Sequence, residues 1–146
     1  MDSANPIEIL MVEDNPGDVR LTMEVLKESN VASRLHVVRD GAEAIRYLRQ
    51  EGRYRERILP DLILLDWDLP RMSGNEVLAE IKDDPHLRRI PVVVLTSSEA
   101  EEDMLMAYDH HANCFISKPL NLDQFIHVMN VLQQFWFTIV KLPGRL

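Results

Sequence analysis

Residues Pro60–Pro70 read P-D-L-I-L-L-D-W-D-L-P. Leu62, Ile63, Leu64 and Leu65 run without a polar break and stop at Asp66. An apolar run of this kind, lacking alternation, predicts a strand covered on both faces, as in the middle of a parallel sheet. Asp66 then stands where the buried strand gives way to its loop, and Pro70 and Gly74 keep that loop from continuing as helix. In open α/β sheets, ligands bind in the crevice beyond the carboxyl ends of the strands. Taken alone, Asp66 could instead cap a following element; other polar groups converging on it would mark a site.

Upstream, Ile7–Val12 (I-E-I-L-M-V) predicts a first strand, with Glu8 near its solvent-facing start and Glu13 and Asp14 at its end. Two adjacent acids closing a buried strand are costly unless they meet a cation or hydrogen-bond donors. Asp18 is expected to N-cap a helix to about Glu28, with Val19, Leu21, Val25 and Leu26 on its apolar side. Leu35–Val38 predicts a second strand, Asp40–Gly41 a turn, and Ala42–Arg49 a helix, followed by a polar, arginine-rich link over Gly52–Leu59. Downstream of Asp66, Ser73 and Glu76 form an S-x-x-E capping box ahead of Val77, Leu78 and Ile81, and Asp84–Pro85 ends that helix. Pro91–Leu95 predicts a fourth strand, terminating in Thr96-Ser97-Ser98. Glu99, Glu101, Glu102 and Asp103 load the first turn of a fourth helix, which suits the helix dipole. Asn113–Ile116 predicts the fifth strand, ending in Ser117-Lys118-Pro119, and Asn121 or Asp123 opens a last helix through Phe125, Ile126, Met129 and Leu132. This alternation predicts a doubly wound parallel sheet with helices on both faces and right-handed crossovers.

With 146 residues, 46% of them hydrophobic, the chain suits one domain with a full core. The single cysteine, Cys114, allows no internal disulfide and is expected to be a buried core thiol. His36, His86, His110, His111 and His127 lack zinc-ligand spacing, and His110–His111 reads as an exposed pair. A net charge of −8 discourages binding to nucleic acid or anionic lipid. The arginines of Arg49–Arg57, and Arg88 with Arg89, read as solvated faces. The opening M-D-S-A-N-P shows no signal peptide, and no apolar run approaches a membrane span, so a cytoplasmic protein is expected.

Parallel strands aim their carboxyl ends at one edge, so Glu13, Asp14, Asp66, Thr96 and Lys118 can converge although far apart in sequence. Three acids and one lysine leave excess negative charge, which a hard divalent cation relieves; Mg²⁺ suits an all-oxygen set, with Mn²⁺ as an alternative. A carboxylate at such a site can attack phosphorus to give an acyl phosphate, with metal and lysine neutralising the transferring oxygens. Thr96 could donate to the resulting phosphoryl group. The alternative is a structural salt-bridge cluster, which would need no hydroxyl and no placement at strand ends.

V-E-D-N, D-W-D-L-P-R-M-S-G around Asp66, V-L-T-S and I-S-K-P together resemble the receiver domain of two-component response regulators, over about Ile7–Leu132. The resemblance implies a flavodoxin-like (βα)5 fold of strand order 2-1-3-4-5. It implies Asp66 as phosphoacceptor, to become a 4-aspartylphosphate, and a metal held by Glu13, Asp14, Asp66 and the backbone carbonyl of Asp68. It further implies Thr96 as switch hydroxyl, Phe115 as aromatic switch, and Lys118 as the family's lysine, its bond to Pro119 usually cis. Activity would be self-catalysed phosphorylation from phosphohistidine and autodephosphorylation, not classical enzymatic turnover. Two departures are Glu13, where aspartate is commoner, and Asp68, whose carboxylate stands where methionine or asparagine is often found. Y-D-H-H-A-N-C-F-I-S-K-P and F-W-F-T-I-V-K-L-P are similar to the small regulators paired with cyanobacterial phytochromes. That implies a sensor histidine kinase of phytochrome type as partner, and often a homodimer. The alternative within the fold is a pseudo-receiver that serves as a docking module.

Residues 1–146 are thus expected to form one receiver domain, core about 7–132, with an aromatic extension over 133–146. Phe135, Trp136, Phe137, Ile139, Val140 and Leu142 cannot all face one helical stripe. They are expected either to pack over the last helix or to join the fourth and fifth helices in a homodimer or partner surface. An extension this short holds no DNA-binding or catalytic output domain, so signalling would pass through protein contacts or onward phosphotransfer.

Overall fold

The apolar run ahead of Asp66 lies in the middle of a sheet. The computed structural model describes residues 6–29, 31–97, 114–118 and 120–138, with backbone alone for 132–138. Its strands are β1 (Ile7–Val12), β2 (Ser33–Val38), β3 (Leu62–Asp66), β4 (Val92–Thr96) and β5 (Cys114–Ser117). All pair in parallel, in the order β2-β1-β3-β4-β5, as the doubly wound reading requires.

Alternate residues of the central strands feed two cores. Leu10, Val12, Ile63, Leu65, Val92 and Val94 meet α2 (Gly41–Leu48) and α3 (Gly74–Asp83) on one face. Ile9, Met11, Leu62, Leu64, Val93 and Leu95 meet α1 (Pro16–Glu28) and the C-terminal helix (Leu122–Thr138) on the other. Because neither face meets water, β3 and β4 are buried at every position, which accounts for their unbroken apolar sequence.

Several local expectations need correction. Asn15, not Asp18, caps α1: the Asn15 side chain accepts from the Asp18 N–H, and Pro16 occupies the first helical position, where its missing N–H is harmless. Asp40 is the N-cap of α2, accepting from Glu43 N–H at 2.8 Å, where a turn was expected. Glu8 is buried, not solvent-facing, because neighbouring β2 supplies His36 Nε2 at 2.8 Å and Arg34 at 3.2 Å. The link after α2 contains a short 3-10 turn at Gly52–Tyr54, anchored by the buried Tyr54 ring against Tyr47. Cys114 is half-buried, and burial pushes its thiol pKa up. The Ser73–Glu76 capping box forms as read, and Asn121 opens the C-terminal helix by accepting from the Gln124 N–H. The fourth helix expected from Glu99, the His110–His111 pair, Pro119 with its cis bond, the side chains of Phe135–Phe137 and the residues beyond Thr138 lie outside the described residues.

Among the described residues no helix is long and apolar enough to cross a membrane.

Gly74 fixes the loop that follows Asp66. Its N–H donates to the Trp67 carbonyl at 3.1 Å, and a Cβ there would sit 2.6 Å from the Asp66 carbonyl oxygen and 2.7 Å from Trp67 Cα. Backbone cannot retreat as a flexible side chain can, so Gly74→Ala should destabilise the protein by about 2 kcal/mol, the middle of the overpacking range. A urea titration should show a lower midpoint at unchanged slope; an unchanged midpoint would mean the loop has slack.

Candidate functional site

The carboxyl ends of β1, β3, β4 and β5 meet at one edge of the sheet. Glu13 follows β1 and is held by its own N–H to the Val38 carbonyl at 3.0 Å. Its Oε2 accepts the Asn15 N–H at 3.2 Å, which turns the chain into α1. Asp66 closes β3; the N–H of Asp68 returns to its Oδ1 at 3.2 Å, and the Trp67 N–H bonds to Leu95 of β4 at 2.9 Å. Thr96 closes β4, fully buried, and its carbonyl accepts the Lys118 N–H at 2.8 Å, which carries β5 to the same level.

Parallel register therefore brings together residues that the sequence separates. Lys118 Nζ lies 2.7 Å from Glu13 Oε1, 3.1 Å from Asp18 Oδ2 and 3.1 Å from Asp66 Oδ1. Glu13 and Asp66 are almost wholly buried, whereas Asp14 is exposed at the mouth. Asp68 and Ser97 line the same open crevice, of about 370 Å³. Phe115, one strand over, pairs with Val94 and packs half-buried against the α2–α3 core. Asp68 thus lines the crevice without joining the ammonium cluster, and Phe115 belongs to the α2–α3 core.

Sequence reasoning missed Asp18 as a member of this cluster. The signal was present in N-P at Asn15–Pro16, which pairs a preferred N-cap with a preferred first helical residue. With the cap moved back to Asn15, Asp18 falls within the first turn, and its side chain is released to reach Lys118. It also missed Arg71, which adopts φ +66° in the loop after Asp66 and sets its guanidinium 3.6 Å from Asp40, tying that loop to the start of α2.

Burial is the largest influence on Glu13, and with the like charge of Asp66 it lifts the pKa to about 7 although Lys118 pulls it back. Burial works against the charge on Lys118, but its contacts with Glu13 and Asp18 and the charge of Asp66 outweigh that and raise its pKa. One ammonium does not balance this set. Glu13, Asp14 and Asp66 each offer a carboxylate oxygen within 4.8 Å of the others, and Glu13 Oε1 is buried without an aligned hydrogen bond. A hard divalent cation fits such an all-oxygen group, and Mg²⁺ or Mn²⁺ has the matching chemistry.

A family model described as the response regulator receiver domain matches residues 9–130. Response regulator Rcp1 of Synechocystis sp. is 46% identical over 144 residues, covering 98% of each chain. The crystal structure of the phosphorylated cyanobacterial phytochrome response regulator RcpA is 50% identical, with a TM-score of 0.78 over 92% of this chain and 96% of that one. The Mn²⁺-bound form of Rcp1 is 46% identical, with a TM-score of 0.77 over 94% of this chain and 99% of that one.

The raised Glu13 pKa gives a signed pH effect in metal-free protein. The folded state keeps a proton on Glu13 that the unfolded chain releases near 4.5, so the associated stabilisation is full below that pH and lost as pH rises through about 7. Titration by carboxyl ¹³C resonance in excess chelator should place Glu13 near 7, and Asp66→Asn should bring it down by removing the like charge. An ordinary glutamate value in both proteins would contradict this electrostatic account.

Proposed function

The chain belongs to the response regulator receiver domain family, and on that basis we propose that Asp66 accepts a phosphoryl group from a phosphohistidine donor and that the protein signals through protein–protein contacts. The observation that carries this reading is the convergence of Asp66 with Glu13, Asp14 and Lys118 at the carboxyl edge of the sheet. In the transfer, an Asp66 carboxylate oxygen bonds to phosphorus as the bond from phosphorus to the imidazole nitrogen breaks; the imidazole leaves with the electron pair. Lys118 lies 3.1 Å from the accepting carboxylate, where its charge opposes the charge of the transferring oxygens. Glu13, Asp14, Asp66 and the backbone carbonyl of Asp68 form the set for Mg²⁺, or Mn²⁺, which when bound neutralises the oxygens of the transferring group. Thr96 supplies a hydroxyl to the phosphoryl group, and Phe115 repacks in response, tilting a surface that has two discrete arrangements. Loss of the phosphoryl group is self-catalysed hydrolysis.

Residues 1–146 act as one receiver, core about 7–132, with the aromatic stretch 133–146 as an interaction element. The similarity to RcpA, a cyanobacterial phytochrome response regulator, supports a phytochrome-type sensor histidine kinase as donor. The surplus of acids disfavours nucleic acid as a partner, and the site of action is the cytoplasm. A symmetric homodimer through the fourth and fifth helices and the aromatic extension suits both the composition of that stretch and the prevalence of closed two-fold assembly.

Two experiments test this reading. Incubated with acetyl phosphate and Mg²⁺, the wild-type protein should acquire hydroxylamine-labile phosphate; Asp66→Asn should acquire none, and excess chelator should abolish labelling. Equal labelling of Asp66→Asn and wild type would remove Asp66 as acceptor and leave the docking-module alternative. Light scattering should show a dimer that Trp136→Ala and deletion of residues 135–146 weaken, once both variants are seen to fold. A monomeric wild type, phosphorylated or not, would refute the dimer.

A further inference from the structure

Three carboxylates surround the Lys118 ammonium, and they come from three different elements. Glu13 stands at the end of β1, Asp66 at the end of β3, and Asp18 in the first turn of α1. A lysine ammonium has three N–H donors, as many as there are acids around it. The contacts are not alike. Lys118 donates an aligned hydrogen bond to Asp18 Oδ2 at 3.1 Å, whereas Glu13 Oε1, although nearer at 2.7 Å, receives no aligned bond.

The acids also differ in their other duties. Glu13 and Asp66 belong to the carboxylate group that can gather a cation, and Asp18 does not. Asp66 changes its charge and shape on accepting a phosphoryl group. Asp18 does neither: its own N–H is held by Asn15 Oδ1 at 3.1 Å, and its negative charge sits at the helix end that favours it. It is the contact able to hold the ammonium steady while the other two are engaged. Without it, the nearest acid, Glu13, draws the ammonium to itself.

We propose that Asp18 is a positioning residue that keeps the Lys118 ammonium beside Asp66 throughout phosphoryl transfer. This rests on the assignment of Asp66 as acceptor. A positioning role makes the rate at saturating donor, not the donor concentration at half-saturation, sensitive to Asp18. It also requires the negative charge, so the outcome must follow charge and reach, not side-chain volume.

The test compares wild type, Asp66→Asn, Asp18→Ala, Asp18→Asn and Asp18→Glu, with acetyl phosphate and Mg²⁺ as the probe. Asp18→Ala should lower the saturating rate of labelling about tenfold, as expected for one charge-assisted contact, with half-saturation unchanged. Asp18→Asn should fall between, and Asp18→Glu should recover most of the rate. A second readout needs no transfer. The ¹⁵N ammonium resonance of Lys118 in metal-free protein should be visible in wild type and Asp18→Glu, and broadened by exchange with water in Asp18→Ala. If wild type takes no label, the acceptor assignment fails and this role falls with it. If wild type is labelled on Asp66 and all Asp18 variants match it in rate and resonance, the positioning role alone is overturned. Equal slowing in Asp18→Ala and Asp18→Glu, in step with loss of thermal stability, would likewise overturn it, since the link would then be structural. Should Asp18→Ala fail to fold, Asp18→Asn and Asp18→Glu decide by the same two readouts.

Discussion

An ammonium ion and a set of carboxylates share one small volume at the carboxyl edge of the sheet, and much of the local structure follows from keeping them there. Neither sign is stable alone at that depth. Unpaired, Glu13 and Asp66 would be buried charges, and Lys118 would lose hydration without recompense. Pairing removes most of that penalty only if the strand ends stop at one level. The ladder enforces this: Val12 pairs with Leu65, Asp66 with Leu95, and Thr96 with Ser117. A slip of one residue in the β1–β3 or β3–β4 pairing would exchange the faces of an apolar strand and carry its terminal acid out of level with its partners.

The loops are subordinate to the same demand. Gly74 lets α3 begin against the backbone of Asp66 and Trp67, and Trp67 is itself buried in the α2–α3 core. The Asp66 carboxylate therefore hangs from a stretch braced at both ends, by β3 on one side and by a capped helix on the other. Arg71 takes an uncommon backbone conformation in that loop, and its link to Asp40 joins the loop to α2. Bracing of this kind limits how far the Asp66 carboxylate can move relative to the charges around it.

Much of this was legible in the sequence, for reasons that can be stated. Leu62–Asp66 and Val92–Thr96 are buried on both faces, and such strands announce themselves by loss of alternation. The capping box at Ser73–Glu76 is a contract between near neighbours and needs no tertiary knowledge. Convergence of Glu13, Asp66 and Lys118 follows once the sheet is parallel. What escaped depended on groups supplied from elsewhere. Glu8 reads as a solvent-facing acid until β2 brings Arg34 and His36 across to it. Tyr54 reads as part of a polar link until its ring finds Tyr47. Asp18 was a different kind of miss: two plausible caps stood three residues apart, and choosing the later one concealed its reach to Lys118.

Strand order also has a consequence for the chain as it leaves the ribosome. β1 is made first, yet it lies between β2 and β3, so one of its edges stays open until Leu62–Asp66 has been synthesised. Lys118 follows Asp18 by 100 residues and comes directly after β5, the last of the sheet's strands to be synthesised. Through most of synthesis the acids of the crevice therefore have no ammonium to face, and the closure of distant segments is the slow, entropically opposed part of folding. The counter-charge is synthesised directly after the sheet's last strand, so the acids cannot be balanced by Lys118 before that strand is available to dock. A nascent chain is left without a finished acidic pocket until almost everything that supports it is in place.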